Sequence, residues 1–188
     1  MSGKGRHVKG ILFGEYVRML RAHRDVDWAA HLDENATPFL ACQIDASSWY
    51  PMDVFEQMGL AILAEVAGND LDQVRAWGHR SIDDMLREHP DIVSDGDPRE
   101  SLMRFQILRQ SLFDYPAVEV VSIFDREARF DINYGMSLKA EEAACHQTLG
   151  FLECLLGMSG AKDIEAEIRF KSWDGDPKTT IVARWRSP

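Results

Sequence analysis

The stretch from Met136 to Trp185 constrains this chain most, because it reads as one long apolar-faced helix running into a two-stranded hairpin. Ser137 is placed to cap the helix, and Glu141 and Glu142 follow in its first turns, where negative charge suits the positive end of the helix dipole. Cys145, Leu149, Leu152 and Leu156 recur at three- and four-residue spacing, and Thr148, Phe151, Leu155 and Met158 widen the stripe into a broad buried face. Gly160 stands where a left-handed C-cap belongs. Ile164, Ala166, Ile168 and Phe170 then alternate with Glu165, Glu167, Arg169 and Lys171, the period of a strand with one wet face. Asp174-Gly175-Asp176-Pro177 turns the chain, and Thr180 to Trp185 returns with Ile181, Ala183 and Trp185 on one side. A helix leading into a hairpin has to bury its face against the sheet.

Upstream, Val118–Phe124 and Ala128–Tyr134 flank Asp125-Arg126-Glu127 and predict a second hairpin, with Phe130, Ile132 and Tyr134 facing in and Arg129, Asp131 and Asn133 facing out. The order β-β-α-β-β after a run of helices defines an α+β protein with a four-stranded antiparallel sheet and the long helix packed on it. The helices before it are expected at Ile11–His23, with a basic outer face, and as a short helix over Asp25–Asn35 with Trp28 and Leu32 inward, ended by Thr37-Pro38. Phe39–Ile44 reads equally as a short strand or a packed loop, and Asp45–Tyr50 as a turn-rich link. Pro51 suits the first position of a helix running to Gly68, and Asn69 the cap of the next. These two are expected to form a tight helical pair. Asp97-Pro98 opens a further helix, through Leu102, Phe105, Ile107, Leu108 and Leu112, until Tyr115-Pro116 breaks it. The 188 residues predict one domain: a helical extension over 1–48, a helical part over 49–115 and the β-β-α-β-β part over 116–188.

Charge excludes some functions. Twenty-one basic against thirty-one acidic residues give a net charge of -10, and the basic residues are scattered, which argues against nucleic-acid and membrane partners. The basic N-terminal residues precede no apolar run of secretory length, and no stretch reaches spanning length, so a soluble cytoplasmic protein is expected. Cys42, Cys145 and Cys154 form no CxxC pair and are expected as free thiols.

The usual chemical signatures are missing: no GxSxG elbow, HExxH helix or phosphate-cradling glycine loop occurs. Cys145 and His146, adjacent on a helix, point about 100° apart and cannot share one ion unaided. Cys145 is expected in the core and His146 beside Glu142 one turn earlier. His79 is expected in a surface or interhelical hydrogen bond, and no cofactor, metal site or catalytic residue is expected. Where the pre-sheet helix meets the second strand and the long helix, Gln106, Arg109, Tyr134, Met136 and His146 mix polar tips with apolar bodies, as a small-molecule site requires. The bland alternative for each is an ordinary core boundary.

Gln147-Thr148-Leu149-Gly150-Phe151-Leu152-Glu153, Gly160-Ala161-Lys162-Asp163, Trp173-Asp174-Gly175-Asp176-Pro177 and Arg184-Trp185 resemble the C-terminal half of 4-vinyl reductase-like and haem-NO-binding-like sensor domains. With Trp49-Tyr50-Pro51, Trp77-Gly78-His79-Arg80 and Gly96-Asp97-Pro98-Arg99, the pattern is most similar to a family of myxobacterial paralogues. The resemblance implies a ligand-sensing or interaction domain, often dimeric. The phenol-sensing members hold zinc through cysteines flanking the hairpin glycine; the matching positions here are Lys171 and Thr179. The haem-NO-binding members use a proximal histidine and a Tyr-x-Ser-x-Arg motif, and that motif does not occur in this chain. Gln106 and Tyr134 match the ligand-contacting polar and aromatic positions of the phenol sensors. The leading expectation is a non-catalytic sensor or regulatory domain that binds a small, partly apolar molecule between helices and sheet and signals through a protein partner or homodimer. The alternatives are a ligand-free interaction or dimerisation module and, third, an enzyme.

Overall fold

The computed structural model describes residues 5–186; the beginning of the basic N-terminal stretch lies outside them. The chain divides into two compact units, Met1–Asp70 with Ser111–Tyr115, and Leu71–Gln110 with Pro116–Pro188.

In the first unit, β1 (His7–Lys9) leads directly into α1 (Gly10–Ala22), and β2 (Trp49–Pro51) into α2 (Met52–Glu65). The two short strands pair antiparallel, Val8 opposite Tyr50, a sheet that three-residue runs do not announce in sequence. Gly10 is required at the junction: a Cβ there would lie 1.9 Å from the Asp45 carbonyl oxygen. Phe13 stacks on Tyr50 with ring centroids 4.5 Å apart, and Tyr16 on Phe55 at 4.3 Å, so aromatic pairs bind α1 to β2 and α2. The helix expected over Asp25–Asn35 does not form. Asp27 accepts from the Ala29 amide and Asp33 from the Asn35 and Ala36 amides, and these side-chain turns displace helical bonds. What remains is a 3₁₀ turn at Trp28–Ala30, although Trp28 and Leu32 do point inward. Phe39 and Leu40 end a 3₁₀ turn over Thr37–Leu40, and 41–44 is a loop exposed at Ala41, Cys42 and Gln43, without a strand.

The second unit contains α3 (Leu71–Glu88), α4 (Pro98–Leu108), β3 (Val118–Ile123), β4 (Glu127–Ile132), α5 (Leu138–Met158), β5 (Lys162–Phe170) and β6 (Thr179–Arg186). Its four strands form one antiparallel sheet in the order β3-β4-β6-β5. Ala128, Phe130 and Ile132 on β4 and Ile181, Ala183 and Trp185 on β6 are all buried, as are Cys145, Leu149, Leu152, Leu155 and Leu156 of α5. The tight helical pair is not the one expected: α3 crosses α5, and α2 packs on α1. Asn69 stands two residues before the next helix. With φ of 63°, it closes α2, its amide reaching the Leu63 carbonyl at 2.8 Å, and the next helix begins at Leu71.

Glycine makes the α3–α5 crossing possible. A Cβ on Gly78 would stand 1.9 Å from the Gln147 carbonyl oxygen, and one on Gly150 would stand 2.0 Å from that of Arg75. Over this crossing Arg75 forms a forked ion pair with Glu153, its Nε donating at 2.9 Å, and His79 Nε2 meets the same carboxylate at 3.1 Å. His79 thus makes the interhelical bond expected of it. Asp97 caps α4 through the Glu100 amide, but the helix ends at Leu108 rather than continuing to Leu112, and Ile107 is 73% exposed. Ser137 and Gly160 stand at the ends of α5 as the sequence indicates, Gly160 with φ of 90°. Met158, expected in the stripe, is largely exposed.

Phe170 also departs from its expected face. Ile168 pairs with Ile181, but Phe170 pairs with Thr180, so a bulge at Arg169 shifts the alternation by one. Phe170 therefore lies on the outer face, 50% exposed.

Candidate functional site

The five residues singled out in sequence all lie in the second unit. Tyr134, just past β4, is buried, and its hydroxyl meets Thr148 Oγ1 at 2.6 Å. Thr148 directs its single proton to the Ala144 carbonyl at 2.9 Å, so Tyr134 donates to Thr148. The Tyr134 amide donates to Glu141 Oε1 at 2.7 Å, and that of half-buried Met136 to Glu141 Oε2 at 3.1 Å. Glu141, only 4% exposed, is therefore the clamp that holds the link between β4 and α5. Its sequence position suggests a dipole charge in the first turn; that its carboxylate folds back over two amides depends on the path of residues 133–137.

Arg109 follows α4, and one of its terminal nitrogens donates to the Val118 carbonyl at the start of β3. Its Nε is buried without a hydrogen-bond partner. Gln106 is half-buried on α4, beside Phe105. The Phe105 ring lies 5.3 Å from Phe151 and 6.4 Å from Phe130, joining α4, α5 and the sheet in one aromatic cluster. Ser101 and Ser159, both fully buried, meet at 2.6 Å and add a polar link between α4 and α5.

His146 is half-buried on α5. The expected hydrogen bond to Glu142 is absent at Nδ1, which is buried and unpartnered. Burial holds the His146 pKa below its ordinary value; the Glu142 charge opposes this, and Arg75 on α3 reinforces it. Tyr134 and Met136 thus meet on Glu141, and Arg109 joins the strand that pairs with β4. His146 instead senses Asp72 and Arg75 of α3 and Lys171 after β5.

Burial among apolar side chains also raises the Cys145 thiol, and the Glu141 charge adds to this. On the β5–β6 hairpin the Thr179 hydroxyl binds the Ser172 amide and side chain, and the Lys171 amide donates to Asp176. Among the described residues, no group of three or more His, Cys, Asp or Glu is placed to hold a metal ion. No helix among them is long and apolar enough to cross a membrane.

These elements define an α+β fold shared with haem-NO/oxygen-binding (H-NOX) domains. The chain is similar to the H-NOX protein from S. oneidensis in the Fe(II)NO ligation state, with a TM-score of 0.63 and 14% identity, covering 95% of this chain and 99% of that one. It is similar too to the Fe(II) unliganded H-NOX protein from K. algicida, at TM-score 0.63 and 13% identity over 96% and 97% of the two chains. An oxygen-binding H-NOX domain related to soluble guanylate cyclases gives 0.62 and 14%, over 96% of each. No family model matches the chain, and neither does any curated protein.

The residues present do not fit a haem held as the resemblance requires. The helix before the sheet, α4, carries no histidine and turns Ser101, Leu102 and Phe105 inward. The Tyr-x-Ser-x-Arg motif is missing from the sequence.

Proposed function

We propose that this protein is a haem-free, non-catalytic sensor or regulatory domain, related to the 4-vinyl reductase-like and myxobacterial members of its fold group. It binds a small, partly apolar molecule between α4, α5 and the sheet and passes the signal to a protein partner or a second copy of itself. The observation that carries this reading is a sensor-type fold over 95% of the chain in which the pre-sheet helix offers Gln106 and no imidazole. The buried, unpartnered Nε of Arg109 supports it, because an unsatisfied buried donor is costly to keep and a ligand or water can satisfy it. Ligand binding would order the helices against the sheet and shift a population of conformers.

A second reading, a ligand-free interaction or dimerisation module, draws on the filled aromatic cluster around Phe105 and the exposed Ile107 on the same helix. Gln106→Phe separates the two. It replaces the polar tip while adding apolar bulk at a half-buried position, so a sensor loses its co-purifying small molecule, measured by mass spectrometry of an organic extract, and keeps its fold. Unchanged extract and unchanged partner binding would remove the support for the sensor reading.

A further inference from the structure

The outer face of the sheet, opposite the side buried under α5, carries a recess of about 330 Å³ that the reading above does not use. Two edge-strand bulges build it. Between Val120 and Ser122 the β3 register slips, and Val121 is pushed outward at 52% exposure; the bulge in β5 brings out Phe170 on the opposite edge. Each edge thus raises an apolar side chain over the central strands, which supply the polar floor from Arg129 and Asp131 on β4 and Thr180 on β6. Pro177 and Lys178 close the rim.

The charges in this recess are unevenly satisfied. Asp131 is buried and held by the Lys178 ammonium and by the Thr180 hydroxyl, which donates at 2.7 Å. Asp176 accepts the Lys171 amide at 2.8 Å. Arg129 has no carboxylate partner among the described residues, and its Nε is buried without a hydrogen bond. Arg129 lines the recess, and the group that matches the planar donor fork of a guanidinium is a carboxylate bound through both oxygens. The apolar edges favour an acid with a hydrocarbon body over a bare anion, and the volume suits a small molecule.

We propose that this recess is a binding site for a small carboxylic acid with an aliphatic or aromatic tail, its carboxylate on Arg129 and its tail between Val121 and Phe170. The site is independent of the one between α4, α5 and the sheet, so either can fail alone.

The test uses the full chain and phenylacetate, followed by amide chemical shifts, with phenylacetamide and inorganic phosphate as probes of shape and charge alone. The expected result is saturable binding of phenylacetate, with shifts centred on residues 129–131 and 170–180. Phenylacetamide and phosphate bind roughly tenfold more weakly or worse. Arg129→Met and Phe170→Ser each lose roughly tenfold or more, whereas Arg87→Met, which removes a surface arginine paired with Asp84 on α3, changes nothing. Phe170 is half exposed, so its variant keeps the test alive if Arg129→Met unfolds. Failure of phenylacetate to saturate overturns the proposal, as does phenylacetamide or phosphate binding as well as phenylacetate. Retained affinity in a folded Arg129→Met variant overturns it equally.

Discussion

Substituting alanine at three glycines of one helix pair tests the packing at the centre of the second unit, because the same added methyl group meets different surroundings. At Gly78 the new Cβ would stand 1.9 Å from the Gln147 carbonyl oxygen and 2.9 Å from the Phe151 amide nitrogen; at Gly150 it would stand 2.0 Å from the Arg75 carbonyl oxygen. These obstacles are helix backbone and cannot rotate away, so α3 and α5 must separate until the contact exceeds 3 Å. Overpacking of this kind costs about 1–3 kcal/mol or more, and the separation also loosens Val74, Trp77 and Phe151, all buried. Alanine's better helix propensity returns about 1 kcal/mol. With the overpacking at its upper end, about 3 kcal/mol because backbone cannot yield, a net loss of about 2 kcal/mol follows for either variant, or a Tm lower by about 4–8 °C. Gly157→Ala, in the same helix, places its Cβ 3.7 Å from the end of the Ile164 side chain, an ordinary contact. That variant gains about 0.5–1 kcal/mol. Urea unfolding followed by circular dichroism gives each difference directly. The reasoning is refuted if Gly78→Ala is as stable as the parent, or if Gly157→Ala loses as much as the other two.

Two further outcomes follow from the site. Burial holds the His146 pKa below its unfolded value of about 6.5, so the folded state prefers the neutral ring. That contribution is complete above pH ~6.5 and is lost as pH falls through the folded pKa; urea unfolding between pH 7.5 and 5 should show stability falling with acid, and His146→Leu should flatten the slope. An unchanged slope in the variant would show that His146 is not the group responsible. Glu141→Ala leaves the buried amide of Tyr134 and the half-buried amide of Met136 without their acceptor, at a cost of about 2–3 kcal/mol by denaturant titration; a loss below about 0.5 kcal/mol would mean that water replaces the carboxylate.

The sequence resolved the second unit better than the first, for a physical reason. In α5, β4 and β6 the hydrophobic period runs long enough to specify both the element and its buried face, and Ser137, Gly160 and Gly175 mark their ends. The segment 25–44 instead depends on aspartate side chains competing for backbone amides, which leaves the apolar pattern of Trp28 and Leu32 unchanged while removing the helix. The β1–β2 pairing is non-local and involves three residues on each side, too few to carry a period. Phe170 departs from its expected face because one bulge inverts an alternation that holds from Ile164 to Ile168. The partner of α3 was missed because it lies distant in sequence; Gly78 and Gly150, each a costly choice within a helix, were the available signal. In the site, Tyr134 and Met136 do come together, but their link is the buried Glu141, whose composition is indistinguishable from that of a surface glutamate. His146 faces α3, a relation that helix spacing within α5 cannot supply.

The most direct measurement of the central claim is the native mass of the purified protein set against its denatured mass, with an ultraviolet-visible spectrum of the same sample. A haem-free sensor gives no Soret band and carries a small organic mass that is released on denaturation. A Soret band would contradict the haem-free assignment, and a bare native mass would contradict the ligand.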